Sequence, residues 1–251
     1  MTQEKEVASA ETTRGAQSQQ GSGAGLDNAA RDRSDVRREY RSAELARADL
    51  DPDPVRQFAR WLTDAESLSL LDATAMTLAT VDQAGQPSAR IVLLKSFTEE
   101  GFVFFTDTHS DKGRELQANP KASLLFYWRE LERQVRIHGT VHPVDTAQAQ
   151  AYFASRPRDS QLSAAASEQS QPVTSRDVLM QRVTQLQDQL GDQPLNKPER
   201  WGGYRVQAQQ FEFWQGRSNR LHDRFRYQLA APASVDNDSQ ITDWQITRLQ
   251  P

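Results

Sequence analysis

The chain has 251 residues, 37% of them hydrophobic, and a net charge of −4, which allows one large domain or two small ones with a real core. The acidic balance gives no bulk attraction to nucleic acid, and the absence of Cys excludes a disulfide framework, a Cys metal site and a thiol nucleophile. Four His, at 109, 138, 142 and 222, argue against a His-rich metal site, and no apolar run approaches the length of a membrane span.

Residues 1 to about 34 contain no aromatic residue and are rich in Gln, Ser, Ala, Gly and charge. Such a segment cannot bury enough apolar surface to order itself, so a disordered tail is expected over 1–34 and one folded domain over 35–251. The N-terminus lacks the apolar segment of a signal peptide, and Glu4, Glu6 and Glu11 argue against a transit peptide. The expected compartment is the cytoplasm.

Asp51-Pro52-Asp53-Pro54 predicts a turn that opens a helix, with Asp53 as N-cap and Pro54 at the first position. Val55, Phe58, Ala59 and Leu62 then repeat at helical spacing. From Ala75 the period becomes two. Strands are predicted over 76–81, 88–97 and 101–106, joined by turns into an antiparallel meander. A polar loop, 107–112, enters a short helix that Asn119-Pro120 ends. Strands follow over 122–128 and 132–144, the latter with Gln134, Arg136 and His138 on its polar face.

Residues 145–156 read as a helix. Thr174 and Asp177 fit a capping box for another, which carries Leu179, Val183, Leu186 and Leu190. Strands return over 201–208, 211–215 and 223–229, then a polar connection over 230–240 and a last strand over 241–249. Many short strands and a few helices, without βαβ alternation, argue against a Rossmann fold, and there is no Gly-x-Gly-x-x-Gly or Walker A sequence. The expected class is mostly β with peripheral helices, an antiparallel barrel.

Four stretches can carry chemistry. Arg90 and Lys95 flank an apolar strand, and their odd offset predicts opposite faces, one toward a ligand and one toward a second ligand or subunit. They also read as edge charges on a core strand. Thr106, Ser110 and Lys112 place hydroxyls and a cation at a helix start, which suits a phosphate or plain capping. Tyr152 and Arg156 share a helix face with Ser160 just beyond, a second anion site or a solvated helix end. In FEFWQGRSNRLHDRF, residues 211–225, an extended chain sends Arg220, His222 and Arg224 to one face near Trp214. That face suits a flat anionic heteroaromatic ligand, and it reads equally as a solvated edge strand.

RIVLLK, GFVFFT, ERQV, YFASRPRDSQ, WGGYRV, FEFWQG and RLHDRF, in this order and spacing, resemble the pyridoxamine 5′-phosphate oxidase family over roughly residues 36–251. The resemblance implies a homodimeric split β-barrel with FMN at the subunit interface. It implies oxidation of pyridoxamine 5′-phosphate or pyridoxine 5′-phosphate by O₂ to pyridoxal 5′-phosphate, with release of H₂O₂ and, from the amine, ammonia. The family's FMN contacts fall on Arg90, Ile91, Val92, Leu93, Lys95, Phe105, Thr106, Ser110, Asp111, Lys112, Gln134, Gln169, Ser170, Trp214 and Arg224. Its substrate contacts fall on Lys95, Tyr152, Arg156, Ser160, Arg220 and His222, with Arg220 and His222 as the catalytic pair. Arg37 and Tyr40 match residues that close over the substrate. No metal is implied.

Two positions depart from the family pattern. Asp111 stands where a basic residue is usual beside the FMN phosphate, and Ala165 where a Trp is common. Two other functions stay open at this point: a split-barrel flavin enzyme with another substrate, and a non-catalytic carrier of flavin or pyridoxal phosphate.

Overall fold

The structure, a computed structural model, describes residues 44–68, 72–229 and 244–251. The expected tail, Arg37, Tyr40 and the 230–240 connection lie outside the described residues. Helix α1 (Pro54–Ser67) starts as its sequence predicts. The Asp53 carboxylate accepts from the Val55 and Arg56 amides at 2.7 and 3.4 Å, and Pro54 follows it. The buried face runs further than the expected stripe, through Phe58, Trp61, Leu62 and Ala65, while Val55 and Ala59 are half-buried at its margin.

Among the described residues, nine strands form one antiparallel sheet: β1 (Ala75–Val81), β2 (Pro87–Leu93), β3 (Ser96–Thr98), β4 (Gly101–Asp107), β5 (Lys121–Trp128), β6 (Arg133–Pro143), β7 (Trp201–Gln215), β8 (Asp223–Leu229) and β9 (Trp244–Leu249). Their order is β2-β1-β5-β6-β7-β4-β3, with β8 on β7 and β9 on β8. The barrel splits on β7. One edge of β7 pairs with β6; the other is shared, with β4 along 201–206 and β8 along 210–215.

The expected meander is corrected here. The 88–97 run is two strands, and β2 and β3 lie at opposite ends of the sheet order. The chain changes partner between consecutive residues: the Leu94 amide donates to Thr74 O and the Lys95 amide to Val103 O, each at 2.9 Å. Buried Leu94 anchors this step, which joins the two ends of the sheet. The expected break at 209–210 is instead a bulge in a continuous β7. Gly139 pairs with Ala208 and His138 with Gln210, leaving Gln209 as the extra residue.

The core is aromatic. Phe58 packs edge-on against Phe97, Phe102 and Phe126 with centroids 4.9–5.0 Å apart, and Trp61 packs edge-on against Phe213 at 5.2 Å. Burial of each such ring is worth about 1.5–3 kcal/mol, so α1 is fixed to the barrel by its apolar face. Buried polar tips are satisfied: Trp128 Nε1 donates to Ala73 O and the Tyr227 hydroxyl to Asp51 O.

The remaining helices surround one end of the cleft described below: α2 (Asp111–Ala118), α3 (Thr146–Ser155), α4 (Arg158–Ala166) and α5 (Arg176–Leu190). Helix α4 was not expected, because Pro157 reads as a stop; it also serves as the N-cap residue of α4. The α5 cap is Ser175, whose hydroxyl accepts from the Val178 amide, and not Thr174 one residue earlier. Among the described residues no helix is long and apolar enough to cross a membrane, and no cluster of His, Cys, Asp or Glu could hold a metal.

Candidate active site

A cleft of about 1250 Å³ opens between β2, β4, the start of α2 and the α3–α5 helices. Along β2 it is lined by Arg90, Ile91, Val92 and Leu93, and just beyond them by Lys95. Both Arg90 and Lys95 line this cleft, as do residues from both faces of β2. Burial alternates through the partner switch, with Arg90 and Val92 half-buried, Leu94 buried, and Ile91, Leu93 and Lys95 exposed, so Arg90 and Lys95 keep the expected opposite faces. The Arg90 guanidinium is held from behind, with one nitrogen 2.9 Å from Glu115 Oε2 and another bonded to the Thr80 hydroxyl.

Phe105, Thr106, Asp111, Lys112, Gln169 and Ser170 line a second wall. Lys112 is only 7% exposed, yet its ammonium bonds to neutral partners, Ser110 Oγ at 3.1 Å and Gln169 Oε1 at 2.7 Å. Burial, with Arg90 nearby, pushes its pKa below the ordinary lysine range. Ser110 is the N-cap residue of α2, but its side chain caps no helix amide. Its hydroxyl donates to Asp107 O and accepts from Lys112, so the hydroxyl orients the ammonium. Thr106 Oγ1 donates to Gln169 Oε1 at 2.9 Å.

Both departures from the family pattern are accommodated. The Asp111 side chain is 61% exposed and bonds Arg114 at 2.5 Å, which balances its charge. Near Ala165, Arg200 donates to Ala165 O and Ser167 O while pairing with Asp107, and so fixes the segment that carries Gln169 and Ser170. Sequence reading missed Arg200. The helix α2 also depends on Gly113: a Cβ there would lie 2.1 Å from Thr108 O, so only glycine lets the loop pass under Lys112.

The third wall brings together Tyr152, Arg156 and Ser160. Arg156 is the C-cap of α3, and Ser160 lies in the first turn of α4 rather than in a loop. The Tyr152 ring stacks on Phe105 at 4.1 Å, and Phe105 stacks on Trp201 at 5.3 Å. The Arg156 guanidinium rests 5.2 Å from the Trp201 ring, and its buried Nη1 has no hydrogen-bond partner. Burial lowers its pKa from the ordinary arginine value.

The other expected residues are gathered away from this lining, on β6–β8. Gln134, Trp214 and Arg224 are direct cross-strand neighbours. Trp214 lies 4.7 Å from the His222 ring. The expected extended run Arg220-x-His222-x-Arg224 is corrected: residues 218–220 form a 3-10 turn, and Asn219 and Arg220 have φ of 55° and 60°. A left-handed Arg220 cannot share a strand face with His222, because the pleat begins only at Asp223. Arg224 donates to Glu212 Oε1 at 2.9–3.0 Å, and Arg136 pairs with the other oxygen. Glu212, 2% exposed, is the residue sequence reading left unused. Its place between Phe211 and Phe213, on the Trp214 face, was the available signal.

His222 Nδ1 accepts from the Arg217 amide at 3.1 Å. That bond requires Nδ1 to be unprotonated and leaves the proton on Nε2, a neutral donor. Burial, then Arg220 and Arg224, lower its pKa below the ordinary 6.5. A group with a depressed folded pKa of this kind contributes stability above the unfolded value and loses it as pH falls. A proton-NMR titration should find the His222 midpoint below the ordinary 6.5; a midpoint above that value would contradict the Arg217 contact.

Fold and cleft define a split β-barrel protein with an anion-suited cavity between barrel and helices. Residues 62–190 match the family model described as pyridoxamine 5′-phosphate oxidase, and residues 201–251 a model described as pyridoxine 5′-phosphate oxidase C-terminal dimerisation region. The chain belongs to the pyridoxamine 5′-phosphate oxidase family. It is 49% identical to the pyridoxine/pyridoxamine 5′-phosphate oxidase of Rubrobacter xylanophilus, over 90% of this chain and 99% of the relative. It is 51% identical to oxidase 1 of Hydrogenovibrio crunogenus, over 88% and 99%. Among solved structures, PhzG from Burkholderia lata, in complex with tetrahydrophenazine-1-carboxylic acid, superposes with a TM-score of 0.74 at 31% identity, covering 84% of this chain and 99% of that one. An FMN-binding protein from Nostoc punctiforme shares the fold, with a TM-score of 0.61 at 18% identity over 80% of this chain and 100% of that one.

Proposed function

We propose that the protein oxidises pyridoxamine 5′-phosphate or pyridoxine 5′-phosphate to pyridoxal 5′-phosphate, with FMN as cofactor and O₂ as final acceptor. The observation that carries this reading is a pair of cleft cations with no carboxylate partner: buried Lys112, and half-buried Arg156, whose buried Nη1 has no hydrogen-bond partner. A phosphate oxygen supplies what each lacks, and the cofactor and the substrate each bring one phosphate. Bound in this cleft, a flavin supplies a two-electron acceptor that O₂ reoxidises.

The chain's own residues bind, orient and exclude water. Lys112, Thr106, Gln169 and Ser170 hold the cofactor's phosphate end, and Arg90 is kept in place by Glu115 and Thr80. Arg156, Tyr152 and Ser160 hold the substrate phosphate, with Arg156 pinned by the Trp201 ring. Lys95, exposed at the cleft, reaches the bound pair. His222 offers Nε2–H to a ring substituent, and Arg220 extends over the ring from its turn. With the amine substrate, loss of hydride from C4′ leaves an imine that water cleaves to aldehyde and ammonia.

The two groups of residues meet in a homodimer, where Gln134, Trp214, Arg220, His222 and Arg224 of one subunit complete the cleft of the other. Support comes from the dimerisation-region match over 201–251, which contains four of these five. The purified protein should be a dimer by light scattering and release FMN, not FAD, on denaturation. An active monomer of 28.4 kDa, or a protein that takes up no flavin from excess FMN, would refute this reading.

A further inference from the structure

The cleft holds one more cation, which the reading above leaves without a role. Arg176, the first residue of α5, is exposed and lines the cleft. Among the described residues it has no hydrogen-bonded or ion-paired partner. Local stability does not account for it, because a cation in the first turn of a helix opposes the helix dipole.

Topology fixes which end of the cleft Arg176 serves. Arg158, which begins α4, donates to Gly191 O, just beyond the end of α5. The two helices therefore run antiparallel, and the start of α5 lies toward the end of α4. The segment that leaves α4 carries Gln169 and Ser170, which bond Lys112 and the Asp111 amide. Arg176 thus belongs to the Lys112 end.

That end is short of positive charge. Both nearby arginines are tied up in ion pairs, Arg90 with Glu115 and Arg114 with Asp111. Lys112 alone faces a phosphate monoester that carries about −1.5 to −2 charges at neutral pH. We propose that Arg176 is a further phosphate-binding residue, which supplies the second positive charge for the flavin phosphate at the Lys112 end of the cleft. This rests on the FMN reading above. A guanidinium suits the task because its fork can take two phosphate oxygens at once.

The test titrates the apoprotein with FMN and with riboflavin, which lacks the phosphate, following quenching of flavin fluorescence. Arg176→Gln should weaken FMN about tenfold or more and leave riboflavin unchanged. Equal weakening of both flavins would mean that Arg176 only supports α5, and unchanged FMN affinity would mean that it does not reach the phosphate; either overturns the inference. The controls separate the two levels. A wild-type protein that binds FMN no better than riboflavin overturns the cofactor reading as well. A wild type that prefers FMN, with the preference retained in Arg176→Gln, overturns this inference alone.

Discussion

Glu212→Ala is expected to destabilise the protein by about 3–5 kcal/mol, seen as a fall in the urea midpoint of the apoprotein. Glu212 is buried between β6 and β8 and is the shared carboxylate of Arg136 and Arg224. In register it also faces Arg226, whose Nε is buried without a hydrogen-bond partner, as is Arg136 Nε. Removing the carboxylate leaves three guanidiniums crowded on one sheet face with no negative charge among them. Arg136 and Arg224 are 38% and 26% exposed, so water recovers part of the cost and the low end of the range is expected. Glu212→Gln keeps an acceptor for Arg224 and should lose less. A loss below about 1 kcal/mol for the Ala variant would show that the cluster is a screened surface pair.

Arg156→Ala is expected to lower kcat/KM for the phosphorylated substrate by about one to two decades, mostly through KM, with FMN content intact. Arg156 sits on aromatic faces with a buried nitrogen that lacks an acceptor, so a phosphate would restore a charge-assisted bond worth about 1.5–3 kcal/mol. Its wall of the cleft is separate from the Lys112 bonds that serve the cofactor end. Equal losses of flavin and substrate affinity would mean that the two phosphate ends are assigned wrongly.

Local signals were legible where chemistry at one or two residues decides the structure. Asp53-Pro54 marked the start of α1, and alternation in β6 gave its polar face. Long-range choices were not. The partner switch at Leu94–Lys95 lies inside an apolar run with neither Gly nor Pro, so nothing local marks it. Arg220 has no intrinsic preference for the left-handed region, and its turn is set by Arg217 and Asp223, which bond each other and neighbouring elements. Glu212 reads from its alternation as a solvated strand residue, because its burial depends on arginines from two other strands. At the site, resemblance supplied residue types and order; the structure added that Lys112 is buried beside neutral partners and that Arg156 carries a buried nitrogen with no acceptor.

The central claim is most directly tested by an aerobic assay of the purified protein with pyridoxamine 5′-phosphate, following pyridoxal 5′-phosphate by its absorbance with and without added FMN. The expected result is FMN-dependent product formation matched by O₂ consumption and ammonia release. A protein that binds FMN and substrate but forms no aldehyde would contradict the assignment and leave a carrier in its place.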